Sequence, residues 1–102
     1  MTPKQKKREA ELLEVCMKHS GEHVPPGHPM TTFATTYSHQ FVKASAELYR
    51  LYSKLYPNLA THKLYVAFRE SGVPACRSER MTFAKVEYLV KRRIIPFLYP
   101  PP

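Results

Sequence analysis

Lys43, Glu47, Arg50 and Lys54 recur at i, i+4, i+7 and i+11, a spacing that places all four on one side of a helix. Arg50 and Lys54 lie one turn apart, where a forked guanidinium and an ammonium together suit carboxylate or phosphate oxygens. Tyr49, Tyr52 and Tyr56 form an aromatic stripe beside them, and Arg69 adds a further cation directly after Phe68. The chemistry on offer is recognition of an anion, not bond making. The remaining candidates are weaker. Cys16, His19, His23 and His28 have a spacing that suits zinc, but His23 and His28 fall in a Pro/Gly stretch and no Cys-x-x-Cys pair accompanies them. Glu70, Ser71 and the scattered histidines supply no nucleophile–base pair, and three glycines are too few for a phosphate-cradling loop. We therefore expect no metal, no cofactor of its own and no enzyme activity.

The elements that must position these residues are helical. Leu12, Val15, Cys16 and His19 share one face of a first helix, expected from about Lys4 to His19, with Ser20-Gly21 as its stop. From Gly21 to about Ser38, three prolines and two glycines predict an extended connector, a segment that would lie across another protein. The second helix is expected from His39 to Tyr56, stopped by Pro57, with Phe41, Ala44, Leu48, Leu51 and Leu55 as its aliphatic face. Its tyrosine stripe is expected against a neighbouring subunit. A third helix runs from Leu59 to Ser71, capped by Asn58 and ended by Gly72. A last helix runs from Glu79 to Ile95, with Ser78 as N-cap and Pro96 as its stop. It carries two apolar faces: Phe83, Val86, Val90 and Ile94 on one, and Met81, Ala84, Tyr88 and Ile95 on the other. Lys91, Arg92 and Arg93 complement the dipole of its last turn. The tail Phe97-Leu98-Tyr99 with its three prolines is expected to be non-helical. The class is all-α, without strong strand alternation.

Bulk properties narrow the partners. A chain of 102 residues builds one core. Sixteen Lys+Arg against eight Asp+Glu leave a net charge of +8, so nucleic acid, an anionic lipid surface or an acidic protein each fit. Cys16 and Cys76 are expected to be free thiols. No apolar run reaches membrane-spanning length. The Lys-rich start carries Glu9, Glu11 and Glu14, unlike an acid-poor transit peptide, so any import signal is atypical or internal.

Ala46-Glu47-Leu48-Tyr49-Arg50, followed downstream by Ala67-Phe68-Arg69-Glu70, resembles the LYR family of small mitochondrial proteins, over about Phe41 to Ile95. The resemblance implies a three-helix bundle that serves respiratory complexes, iron–sulfur machinery or mitochondrial ribosomes. It also implies a partner: the acidic mitochondrial acyl carrier protein, whose acyl-4′-phosphopantetheine enters the bundle. Leu48 would line the apolar channel, Tyr49 its mouth, and Phe68 its far wall. Arg50, Lys54, Lys43 and Arg69 would meet the carrier's acidic side chains and phosphate. Glu47-Leu48-Tyr49-Arg50 with Tyr52 and Pro57-Asn58 looks most like the LYR accessory subunit of respiratory complex I. Only 18 positions separate Arg50 from Phe68, so the middle helix would be about two turns shorter than the family's.

The resulting expectation divides the chain into residues 1–38 (N-terminal helix and connector), 39–95 (LYR-type bundle) and 96–102 (Pro-rich tail). Its function would be a non-catalytic accessory subunit of a mitochondrial complex, most readily complex I, on the matrix side of the inner membrane and not spanning it. The alternative is a basic peripheral subunit or assembly factor of the mitochondrial ribosome that contacts rRNA through interleaved Tyr and Lys/Arg.

Overall fold

Thr2 fixes where the chain first becomes helical. Its side chain accepts from the Gln5 amide (3.1 Å) while the Gln5 side chain accepts from the Thr2 amide (2.9 Å), a reciprocal capping box with Pro3 in the first turn. The computed structural model describes residues 1–20, 37–76 and 79–102, with the backbone alone at Cys76 and Glu79. The predicted connector, its histidines His23 and His28, the Cys76 thiol and the Ser78 cap lie outside the described residues or side chains.

Helix α1 (Pro3–His19) is followed by α2 (His39–Leu55) and α3 (Ala60–Ser71). Ser38 starts α2 by accepting from the Phe41 amide (3.1 Å). Pro57 closes it, as expected from the missing N–H and the ring. Asn58 does not cap α3. It takes a left-handed φ of 70° in the turn, and Leu59 precedes α3 with no side-chain cap bond. Gly72, at φ 76°, ends α3, where Val73 N–H returns to the Phe68 carbonyl (2.9 Å).

Glu79 and Arg80, expected to begin the last helix, instead form a short strand, β2 (Glu79–Arg80), paired antiparallel with β1 (Pro74–Cys76). Thr82 then caps the helix by accepting from the Lys85 amide (3.3 Å). That helix, α4 (Phe83–Leu89), passes without a break through a π-helical turn (Val90–Ile94) into a final turn, α5 (Ile95–Leu98). Pro96 therefore does not stop the helix, and Phe97 and Leu98 are helical. The ring of Pro96 would collide with the Arg92 carbonyl in an α-helix. In the wider turn, Ile95 N–H bonds the Val90 carbonyl and the backbone there opens enough for the rod to continue. The same turn solves a packing problem. Val86, Val90, Ile94 and Leu98 follow one another at four-residue steps, and in an α-helix such a row rotates by about 40° per step. One π turn resets most of that drift, so Val86, Val90 and Ile94 are all buried and Leu98 packs against the core.

The described chain is thus mostly helical around one core, with the β-ribbon as its one sheet element. Phe41, Leu48, Leu64, Phe68, Met81, Leu89 and Ile94 are its largest fully buried side chains. Phe41 stands at the crossing, stacked on Tyr37 (centroids 5.2 Å) and tilted against Phe68 (5.7 Å). Phe68→Ala removes a ring at the centre of this contact and is expected to cost about 3–5 kcal/mol of unfolding free energy. A urea titration measures it, and an unchanged midpoint would show that the ring is not the core contact it is taken to be.

Candidate partner-docking surface

Residues 44–46 of α2 are small, and all three are buried. Small side chains let a second helix come close, and α1 packs beside Ala44 and Ser45, seating Leu12 and Cys16 in the core. Polar contacts set the approach. Arg8 makes a forked ion pair with Glu47, Nη2 standing 3.0 Å from Oε1 and Nε against Oε2, and it also reaches Glu11 (3.1 Å). The Tyr52 hydroxyl donates to Glu9 (2.6 Å), and the Cys16 thiol meets the Ser45 hydroxyl at 3.7 Å inside the core.

This seam changes the status of several predicted residues. Tyr52 is 3% exposed and faces α1, so the middle of the tyrosine stripe packs within the chain and not on a neighbouring subunit. Tyr49 and Tyr56 stay half-buried at the edge of the core, and Lys63 lies over the Tyr56 ring (4.5 Å). Glu47 is not a free member of a charged stripe but the anchor of Arg8. Sequence reasoning missed Arg8 and Glu9 as contact residues. The available signal was Glu47 among cations, a carboxylate placed to draw in an arginine.

Two grooves flank the seam. One, of about 450 Å³, runs between Glu11, Val15 and Lys18 of α1 and Gln40, Lys43 and Ala44 of α2. The other, of about 200 Å³, has Leu12 and Leu51 as its apolar floor and Gln5, Arg8, Arg50 and Lys54 around it. The Arg8–Glu47 pair and Leu12 border both. Arg50 and Lys54 are exposed and stand together, as their spacing predicts. Lys43 belongs to the larger groove. Leu48 and Phe68 are fully buried in one core, and neither lines either groove.

Arg69 is elsewhere. The four-residue link between α2 and α3, and the contact of Phe41 with Phe68, make the two helices antiparallel. Phe68 and Arg69 therefore lie beside the first turns of α2, while Arg50 stands nine residues beyond Phe41, roughly 13 Å along the axis at 1.5 Å per residue. Arg69 instead approaches the Tyr65 ring (5.8 Å). The predicted cations thus fall at three separate places, with Arg50–Lys54 the one close pair.

Among the described residues, no three His, Cys, Asp or Glu side chains are grouped to hold a metal. No described helix is long and apolar enough to cross a membrane. No family model, curated protein or solved structure matches the chain.

The seam titrates in both directions. Burial, partly offset by the Ser45 hydrogen bond, pushes the Cys16 thiol up to about 12 from its ordinary 9.0, which leaves it neutral and unreactive. Burial and then the Glu9 hydrogen bond raise the Tyr52 phenol. Both groups are held neutral in the fold and ionise more easily once it opens, so their stabilisation is complete at neutral pH and is lost as the solution becomes alkaline. Glu47 has the opposite sign: the Arg8 hydrogen bond lowers it, and its small, solvent-screened contribution disappears as acid protonates the carboxylate. Unfolding free energy is expected to fall from pH 9 toward about 12, Cys16 alone contributing about 1.4 kcal/mol per pH unit. Urea titrations under reducing conditions should show a shallower decline for Cys16→Ala. An identical slope in the two proteins would remove Cys16 as a cause.

Proposed function

We propose that this chain is a non-catalytic LYR-type accessory protein that docks an acidic acyl carrier protein bearing acyl-4′-phosphopantetheine. The observation that carries the reading is the orientation of the motif. Leu48 is directed into the core that Phe68 also occupies, Tyr49 is half-buried at its edge, and Arg50 is exposed beside Lys54 over the apolar floor of Leu12 and Leu51. A pantetheine phosphate or an acidic side chain would meet the Arg50 guanidinium and the Lys54 ammonium, with alkyl surface beneath them. Lys43 and Arg69 would contribute at the margins, since neither stands beside Arg50. An acyl chain reaching Leu48 and Phe68 would have to part packed side chains, because both are enclosed in the core.

The net charge of +8 supports an acidic partner, and on this reading the protein is an accessory subunit of a mitochondrial complex, respiratory complex I, on the matrix side of the inner membrane. Helix α1 then has a definite place: its Leu12 shares the apolar floor of the same groove, and its Arg8 pairs with Glu47 at the border, which leaves Arg50 and Lys54 as the cations there.

Titration with acylated carrier protein tests the surface. Arg50→Glu is expected to weaken binding by at least about tenfold, because a like charge replaces an attractive one at the contact. Lys4→Glu, on the exposed first turn of α1, should change it by less than about threefold. Comparable losses from the two variants would mean that net charge alone is being read, and absence of binding by the unmodified protein would remove the reading.

A further inference from the structure

The C-terminal rod presents a second surface that carrier docking does not use. Val86, Val90, Ile94 and Leu98 run along its inner side at four-residue steps. Tyr88, Arg92 and Pro96 take the same steps along its outer side, and all three are exposed. Ile95 is 40% exposed, and Tyr99 at the end of the rod is 72% exposed. Lys91 has only a long contact with Glu87 (3.9 Å), and no ion pair engages Arg92 or Arg93 among the described residues. Three consecutive cations therefore lie among exposed rings and an aliphatic side chain, on a helix whose other side is fixed to the core.

We propose that this outer face rests on an anionic lipid surface. Lys91, Arg92 and Arg93 would pair with headgroup phosphates, and the Tyr88, Ile95 and Tyr99 side chains would enter the boundary between headgroups and acyl chains. The mixture of groups favours lipid over nucleic acid. An RNA backbone accounts for the cations and for stacked tyrosines, but gives no partner to an exposed isoleucine. The interfacial region of a bilayer accommodates all three types, since amphipathic rings and aliphatic side chains sit beside basic residues there. Each basic residue held at such a surface contributes about fivefold to partitioning. The rod is anchored along its inner side, so contact needs no unfolding and places the protein on the membrane without crossing it.

Flotation with vesicles of phosphatidylcholine containing about a third phosphatidylserine, against phosphatidylcholine alone, tests this contact. The unmodified protein is expected to float with the anionic vesicles only. R92E/R93E should reduce partitioning by at least about 25-fold, the product of two such contributions. K6E/K7E, with the same charge change on exposed α1 positions, should reduce it by less than about threefold, being outside the contact. Tyr88→Trp provides a readout of insertion, its indole emission shifting to the blue and being quenched by brominated acyl chains in the anionic vesicles. Equal losses from the two double variants, or an indole emission that is neither shifted nor quenched, would overturn the proposal. So would tighter binding of an RNA oligonucleotide than of the anionic vesicles at about 0.15 M salt. Because Arg50 and Lys54 are untouched in R92E/R93E, carrier binding in that variant reports the two surfaces separately.

Discussion

Helix α2 is covered on two sides, and the rest of the molecule follows from how one seventeen-residue helix can be. On one side Phe41 meets Phe68, and the C-terminal rod also packs on α2; on the other, the small buried Ala44 and Ser45 admit α1. A helix with a single apolar stripe leaves its remaining surface to solvent. Here small residues replace large ones on the second side, so burial comes from close approach and not from bulk. Polar groups on that side must then be satisfied within the chain, which is what Arg8 does for Glu47 and Glu9 for the Tyr52 hydroxyl.

That arrangement explains which parts of the structure can be read from sequence. The periodicity of α1, the bounds of α2 and the Gly72 end of α3 are local signals: caps, prolines and apolar spacing act within a few residues. The inner position of Leu48 was legible for the same reason, whereas that of Phe68 was implied only by the resemblance. The partner of Tyr52 was not legible, because a tyrosine at helical spacing looks the same whether its hydroxyl meets solvent, another subunit or a carboxylate 43 residues away. Glu47 shows the same ambiguity, since its role depends on Arg8 and that contact is tertiary. The separation of Arg69 from Arg50 is likewise set by the antiparallel crossing of α2 and α3, which motif spacing along the chain does not encode.

The C-terminal rod shows a different kind of failure. Pro96 is a valid stop signal when the only choices are an α-helix or its end. The row Val86, Val90, Ile94 and Leu98, with its step of four, contains the information that neither choice fits. An α-helix would carry Leu98 about 120° away from Val86, whereas one π turn brings it back toward the core. The ribbon from Pro74 to Arg80 was missed because strands of two or three residues carry no alternation to detect.

The proposed contacts lie at different points along α2, and this decides whether they can operate together. The Phe97 ring sits edge-on to His39 (centroids 5.9 Å), which ties the end of the rod to the first turn of α2. Arg50 is eleven residues further along, roughly 16 Å at the helical rise. At physiological ionic strength charges that far apart are largely screened from one another, because the distance exceeds the Debye length of about 8 Å. The Phe97 end of the rod therefore lies beyond the screening distance of Arg50. On the proposed readings, one core joins the two cationic surfaces, and the net charge of +8 is divided so that the carrier contact and the bilayer contact each have cations of their own.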